Sequence, residues 1–306
     1  MSTLAPLPNG AASRIIYFGT PEVAVAPLRA LHKSGGRIDL VITRPDTRRG
    51  RGSKVSPSPV KQAAIDLGIP VSHDLADAAV LASHNDLLGA VVAFGRLLPT
   101  SLLSVIPMVN VHFSLLPRWR GAAPVERAIL AGDEKTGACI MRVVEALDTG
   151  EVYRRAESEI RPDESADALR ARLCELSIPL LLDVVTNGAG EGEPQVGEAT
   201  YAAKITADDL LLDWSKPAGE LERITRVGVG HTHFRGKRLN VLRAHALRSS
   251  ESSIPGQFIG PEQDGIVVGT GEGSLCLQRV QQEGKPELDA LSWSRGARPK
   301  PGELFG

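Results

Sequence analysis

The run from Arg14 to Thr43 decides the fold. Arg14-Ile-Ile-Tyr-Phe18 has the length and composition of a strand, Glu22 to Lys33 carries apolar residues three and four apart, and Asp39-Leu-Val-Ile-Thr43 is a second strand-length run. Strand, amphipathic helix, strand is the βαβ unit, whose crossover makes the two strands parallel. The pattern continues outward: Val60 to Leu67 and Ala76 to Leu88 have helical spacing, while Ala90-Val-Val-Ala-Phe94 and Met108-Val-Asn-Val-His112 are strand-like. A parallel sheet with crossover helices is therefore expected up to about residue 187. Two further strands, near Ala138 to Val144 and Glu151 to Ile160, follow without a full helix between them and predict an antiparallel extension. Ser165 is placed to cap a helix with Ala168, Leu169, Leu173, Leu176, Leu180 and Val184 on one face. That helix is expected to end at Asn187-Gly188, with Pro179 kinking it.

Gly188 to Glu198 is too rich in Gly and Glu to build a core, and residues 191–205 read as a linker. After a short helix at Ala218 to Val227 come brief β-like runs at Leu239 to Ala244, Gly256 to Ile259, Gly265 to Val268 and Leu275 to Val280. Short strands with Gly-rich turns predict a small β-barrel over 206–306. Residues 1–13, rich in Pro, Ala and Ser, lack the charged start and continuous apolar segment of a secretory signal and read as a disordered tail.

At 306 residues, 42% hydrophobic and 23% charged, the composition is that of a soluble globular protein of two domains. With no stretch of about 18 apolar residues, no membrane span or membrane partner is expected. Lys and Arg total 35 against 36 Asp and Glu, so any surface for a polyanion must be local. Cys139, Cys174 and Cys276 are far apart and lack CxxC spacing, which reads as buried thiols of a reducing compartment, the cytoplasm. His231 and His233, set among glycines, are expected as exposed loop residues with no third ligand, so no metal site is predicted. Trp119, Trp214 and Trp293 are expected as packing anchors.

Asn110 and His112 stand two apart at the end of a predicted strand, hence on one face, at the sheet edge where ligands of open α/β proteins bind. An imidazole, which ordinarily titrates near about pH 6.5, accepts a proton from a nucleophile and returns it to a leaving group. A side-chain amide beside it stabilises an oxyanion by roughly 3 kcal/mol. Asp148, in the Leu147-Asp-Thr-Gly150 turn, is placed to orient and charge-balance the imidazole. The set fits acyl transfer. A hydrogen-bonded structural Asn-x-His pair and an ordinary Asp-Thr-Gly turn are the bland alternative. The apolar loop Ser114-Leu-Leu-Pro117, followed by Gly121-Ala-Ala-Pro124 opening a helix, shifts the balance towards a site for a flat heteroaromatic ligand.

The concatenation Phe18-Gly-Thr-Pro-Glu22, Arg44-Pro-Asp46, Gly50-Arg-Gly52, Ser56-Pro-Ser-Pro-Val-Lys61, Ala93-Phe-Gly95 and Asn110 to Pro124 resembles the folate-dependent formyltransferases. The resemblance implies a Rossmann-like, mostly parallel catalytic domain over 14–190 and an OB-like, tRNA-binding β-barrel over 206–306. It implies 10-formyltetrahydrofolate as donor, with no permanently bound cofactor, and methionyl-initiator tRNA as acceptor, formylated for translation initiation. His112 becomes base and acid, Asn110 the carbonyl-polarising amide and Asp148 the support of His112. Phe94, Gly95, Ser114, Leu115, Leu116 and Pro117 become the pterin wall. A monomer is expected. Phe113 is then required to turn its ring away from Asn110 and His112, Arg96 stands where an apolar residue is more usual, and Gly228 to Phe234 departs from the family pattern.

Residues 44–61 carry Arg44, Arg48, Arg49, Arg51, Lys54 and Lys61 against Asp46 alone, a local charge of +5. A long loop with such charge is functional or simply solvated; the resemblance assigns Arg48, Arg49, Arg51 and Lys54 to tRNA, with Arg51 at the acceptor stem. Neither Gly50 to Lys54 nor Gly19-Thr20 has the spacing of a nucleotide-binding loop. Two other readings stay open: a formyltransferase for a small amine, such as a sugar nucleotide or purine intermediate, and a non-catalytic tRNA- or folate-binding protein. The basic loop and barrel weigh against the first, the Asn110, His112, Asp148 set against the second.

Overall fold

The computed structural model describes residues 4–48, 55–83, 86–247 and 254–306. They form two compact units, Met1–Val125 with Lys135–Ile160 and Ala168–Ala203, and Glu126–Glu134 with Arg161–Asp167 and Lys204–Gly306.

In the first unit the apolar runs become strands β1 (Arg14–Gly19), β2 (Arg37–Ile42), β3 (Thr47–Arg48), β4 (Val55–Ser56), β5 (Val71–Ser72), β6 (Leu87–Val92), β7 (Met108–His112), β8 (Arg120–Gly121), β9 (Lys135–Arg142), β10 (Val152–Glu159) and β11 (Tyr201–Ala202). The main sheet has the order β10-β9-β7-β6-β1-β2-β5. From β5 to β7 every pairing is parallel, and β9 and β10 add the antiparallel edge that their missing crossover helix predicted. Crossovers are made by α1 (Val25–Lys33), α2 (Pro59–Asp66), α3 (Leu75–Val80) and the single turn α4 (Thr100–Leu103), followed by α5 (Pro124–Ala131) and α6 (Ala166–Asn187). All six residues of β6 are buried, as a strand covered on both faces requires. Pro179 is accommodated inside one helix of 22 residues, and Gly188 beyond its end has φ 85°.

Three expectations change. The helix expected over 76–88 stops at Val80, and after a 3-10 turn at Leu81–Ser83 the chain enters β6 at Leu87, because Leu87 and Leu88 gain more from the sheet core than from a frayed helix end. The tail is ordered from residue 4: Ala5 N–H donates to Leu103 O at 2.9 Å, Ala12 N–H to Val185 O at 2.8 Å, and Leu4 packs on the core. Its apolar residues bury area that the Pro and Ala content hid. The segment read as a linker is also tied down, by Glu193 exchanging two 2.9 Å backbone bonds with Val152 and by β11 pairing with β8.

In the second unit α7 (Ala218–Val227) precedes β12 (Gly230–Phe234), β13 (Lys237–Leu247), β14 (Phe258–Glu262), β15 (Gly265–Gly269), β16 (Ser274–Gln282), β17 (Leu288–Asp289) and α8 (Ala290–Ala297). The order β12-β13-β16-β15-β14 is antiparallel throughout. The C-terminal segment closes it: Leu304 bridges Gln257 beside β14, and Phe305 bridges Phe234 at the end of β12. Phe305 lies 4.8 Å from the Phe234 ring and 6.0 Å from Trp214, in a core shared with Phe258 and Trp293. Trp214 and Trp293 are thus packing anchors as expected, while Trp119 is half-buried with the Arg118 guanidinium 4.4 Å from its ring centre. His231 and His233 are not loop residues: both lie on β12, His231 buried and His233 exposed. The alternating inward residues Thr232 and Phe234, not the flanking glycines, decide that segment.

The three cysteines are free and buried. Burial pushes the Cys139 thiol up and those of Cys174 and Cys276 up to about 12, which leaves them unreactive. Among the described residues no helix is long and apolar enough to cross a membrane.

Candidate functional site

The carboxyl ends of β6 and β7 and the turn after β9 open onto a cavity of about 540 Å³. Asn110, His112 and Asp148, 38 residues apart at the extremes (148 − 110), all line it. Asn110 and His112 share a face of β7 because they are two apart, and the strand's pairing with β6 and β9 on both sides holds its register.

His112 is 5% exposed and is held from two directions. Its Nε2 lies 2.9 Å from the Trp119 carbonyl oxygen, and its Nδ1 lies 3.7 Å from Asp148 Oδ2. A carbonyl only accepts, so Nε2 carries the proton of the neutral ring and Nδ1 presents its lone pair. Asp148 Oδ2 in turn accepts the Gly121 N–H at 2.8 Å. Asp148 has φ 52°, a conformation that Asp tolerates through its short polar side chain. Glycine is required next door: a Cβ on Gly150 would stand 2.1 Å from Arg142 O, and one on Gly121 2.8 Å from Ala202 O.

Of the residues assigned to a pterin wall, Phe94 and Gly95 line the cavity and Ser114 to Pro117 do not. Ser114 is fully buried with its hydroxyl donating to Arg118 O at 2.6 Å, and Leu116 packs with Cys139, Met141 and Val152. Ser114 and Leu116 thus face the core, while Leu115 and Pro117 are half-buried. The remaining wall comes from Val91, Leu97, Leu98, Val143 and Leu147, which no motif marked. Thr20 Oγ1 donates to Phe94 O at 3.1 Å and so ties the first βα turn to this wall. Phe113 is buried and contributes to the cavity wall, and Arg96 stands exposed at its rim.

Arg49, Arg51 and Lys54 lie outside the described residues, as does the side chain of Arg48. The base of their loop is built: β3 and β4 pair antiparallel, Ser58 caps α2 by accepting Lys61 N–H at 2.9 Å, and Lys61 Nζ meets Asp46 at 2.8 Å. The one acidic residue of the run is therefore spent on Lys61, and Arg44 is exposed. Gln195 is the residue that sequence reasoning missed. Its amide donates to Asp148 O at 2.9 Å and Gly150 O at 2.7 Å, and its oxygen accepts from Arg120 at 3.0 and 2.7 Å.

A parallel α/β unit with Asn110, His112 and Asp148 gathered at its strand ends, followed by an antiparallel barrel, matches two family descriptions in order: Formyl transferase over residues 13–185 and Formyl transferase, C-terminal domain, over 204–298. The chain belongs to the formyl transferase family. It is 40% identical over 303 residues to the methionyl-tRNA formyltransferase of Pseudomonas fluorescens, an alignment that covers 94% of each chain. Among solved structures, the fold is shared with methionyl-tRNA formyltransferase from Clostridium thermocellum at a TM-score of 0.57 and 13% identity, over 78% of this chain and 95% of that one. It is shared too with HypX from Aquifex aeolicus in complex with tetrahydrofolic acid, at a TM-score of 0.62 and 14% identity, over 93% of this chain and 47% of that one.

Proposed function

We propose that this chain transfers the formyl group of 10-formyltetrahydrofolate to the α-amino group of methionyl-initiator tRNA, in the cytoplasm and as a monomer, giving N-formylmethionyl-tRNA and tetrahydrofolate for translation initiation. The observation that carries the reading is the 40% identity, over 94% of both chains, to a methionyl-tRNA formyltransferase. The geometry supplies a chemistry to match. The amine nitrogen attacks the formyl carbon, a C–N bond forms, and the carbonyl oxygen becomes an oxyanion that the Asn110 amide stabilises by hydrogen bonding. His112 Nδ1 takes the proton from the new ammonium, and the resulting imidazolium faces the Asp148 carboxylate. The bond to the folate N10 then breaks and the same proton passes to that nitrogen. No metal takes part in these steps.

The donor's flat ring enters between Phe94 to Leu98 and Val143 to Leu147, an apolar wall of the kind that binds heteroaromatic groups. Arg48, Arg49, Arg51 and Lys54 supply charge for the RNA, so binding weakens as salt rises. The barrel is assigned to hold the tRNA. It is neutral overall, with 13 basic and 13 acidic residues over 206–306, so its RNA surface is one-sided. The test is incubation with 10-formyltetrahydrofolate and charged initiator tRNA, beside free methionine and a sugar-nucleotide amine. Formylation of the tRNA is expected; formylation of the small amine alone would overturn the reading. Sedimentation of the purified protein as a dimer would overturn the monomer.

A further inference from the structure

The segment between α6 and the second unit, compositionally a linker, is built into the site. We infer that Gln195 and Thr200 are positioning residues for His112, fixing the two groups between which its ring is clamped; the inference rests on the reading that His112 moves the proton. Trp119 has φ 63°, a conformation that persists in a non-glycine residue only where its surroundings hold it. Thr200 does so on both sides. Its Oγ1 accepts Trp119 N–H at 2.9 Å, and its carbonyl oxygen accepts Arg120 N–H at 2.9 Å. The Trp119–Arg120 peptide is planar and trans, so an N–H fixed on Thr200 O directs the Trp119 carbonyl the opposite way, onto His112 Nε2. Thr200 thereby holds the Trp119 carbonyl on Nε2 and favours the tautomer protonated there.

Gln195 fixes the other jaw. Both of its N–H donors are used, on Asp148 O and Gly150 O, and its oxygen takes two bonds from Arg120, which saturates the amide. One side chain thus ties the Asp148 turn to the strand that carries Gly121, the donor to the Asp148 carboxylate. Neither residue lines the cavity. Their removal is expected to lower kcat while leaving KM in place, since a misplaced reacting group costs rate before it costs binding.

The experiment uses Thr200→Val, which deletes the side-chain acceptor of Trp119 N–H at nearly constant shape and leaves the backbone carbonyl in place, Thr200→Ser, which restores it, and Gln195→Glu, which keeps an acceptor for Arg120 but cannot donate to the two carbonyls. Val196→Ala, at a neighbour 84% exposed, is the control. Thr200→Val and Gln195→Glu should lose about tenfold to a hundredfold in kcat with KM for both substrates within about threefold. Thr200→Ser and Val196→Ala should stay within about twofold of the parent. In nitrogen-15 spectra of the imidazole, recorded without substrate, Thr200→Val should shift His112 away from the Nε2-protonated tautomer. Parental kcat together with a parental nitrogen spectrum in Thr200→Val would overturn the inference. If the parent protein failed to formylate methionyl-tRNA, the functional reading would fall, and the substrate-free spectrum would still decide the positioning role.

Discussion

Asp148→Asn isolates the electrostatic part of the site. Asn is nearly isosteric, tolerates φ 52°, and keeps an oxygen for the Gly121 N–H, so the turn and its 2.8 Å bond survive while the charge goes. The charge sits 3.7 Å from His112 Nδ1, with side-chain exposures of 12% and 5% for Asp148 and His112. Coulomb's law at that separation gives about 1 kcal/mol in bulk water and about 4.5 kcal/mol at an effective dielectric of about 20. With both groups largely withdrawn from solvent the upper half of that range applies, so kcat should fall about 10²- to 10³-fold. The assay is steady-state formyl transfer to methionyl-tRNA at saturating donor. Asp148→Asn should have almost no further effect in a His112→Ala background, because the carboxylate acts through the imidazole. A kcat within about twofold of the parent would refute the argument, as would full additivity of the two changes.

Phe305→Ala should weaken the barrel by about 3–5 kcal/mol, as for other aromatic truncations in cores, measured by guanidinium denaturation; a loss below about 1 kcal/mol would mean that the closing segment does not share the core. Arg51→Ala should raise KM for tRNA and flatten its salt dependence while sparing KM for the donor; unchanged tRNA kinetics would remove the basic loop from the RNA site. Burial holds the His231 imidazole below its ordinary value, and its Nδ1 has no hydrogen-bond partner among the described residues. The unfolded chain therefore binds the extra proton first as pH falls, so stability should drop below about pH 6.5 and be flat above it for this group. His231→Phe should reduce that slope, and a slope unchanged by the substitution would place its origin elsewhere.

The parallel sheet was legible because its strands are short apolar runs separated by amphipathic helices, and Asn110 and His112 because a two-residue spacing at a strand end leaves one choice of face. What stayed hidden depends on distance in sequence. Leu304 and Phe305 close the barrel by meeting Gln257 and Phe234, and no local pattern announces a bridge across 71 residues (305 − 234). Gln195 reaches Asp148 across 47 positions and Arg120 across 75 from within a Gly- and Glu-rich stretch. Composition reports whether such a stretch can build a core, not whether one of its side chains completes a site. In the loop at Ser114 to Pro117, apolar character says that a residue is covered, and only the fold says that Leu116 is covered by Cys139, Met141 and Val152.

His112 is the centre of the account, and one measurement addresses it most directly: single-turnover formyl transfer from 10-formyltetrahydrofolate to methionyl-initiator tRNA by His112→Ala, with the dissociation constants of both ligands measured on the same protein. The account predicts a transfer rate lower by roughly 10³-fold or more with both dissociation constants within about threefold of the parent. A transfer rate within about tenfold of the parent would contradict it.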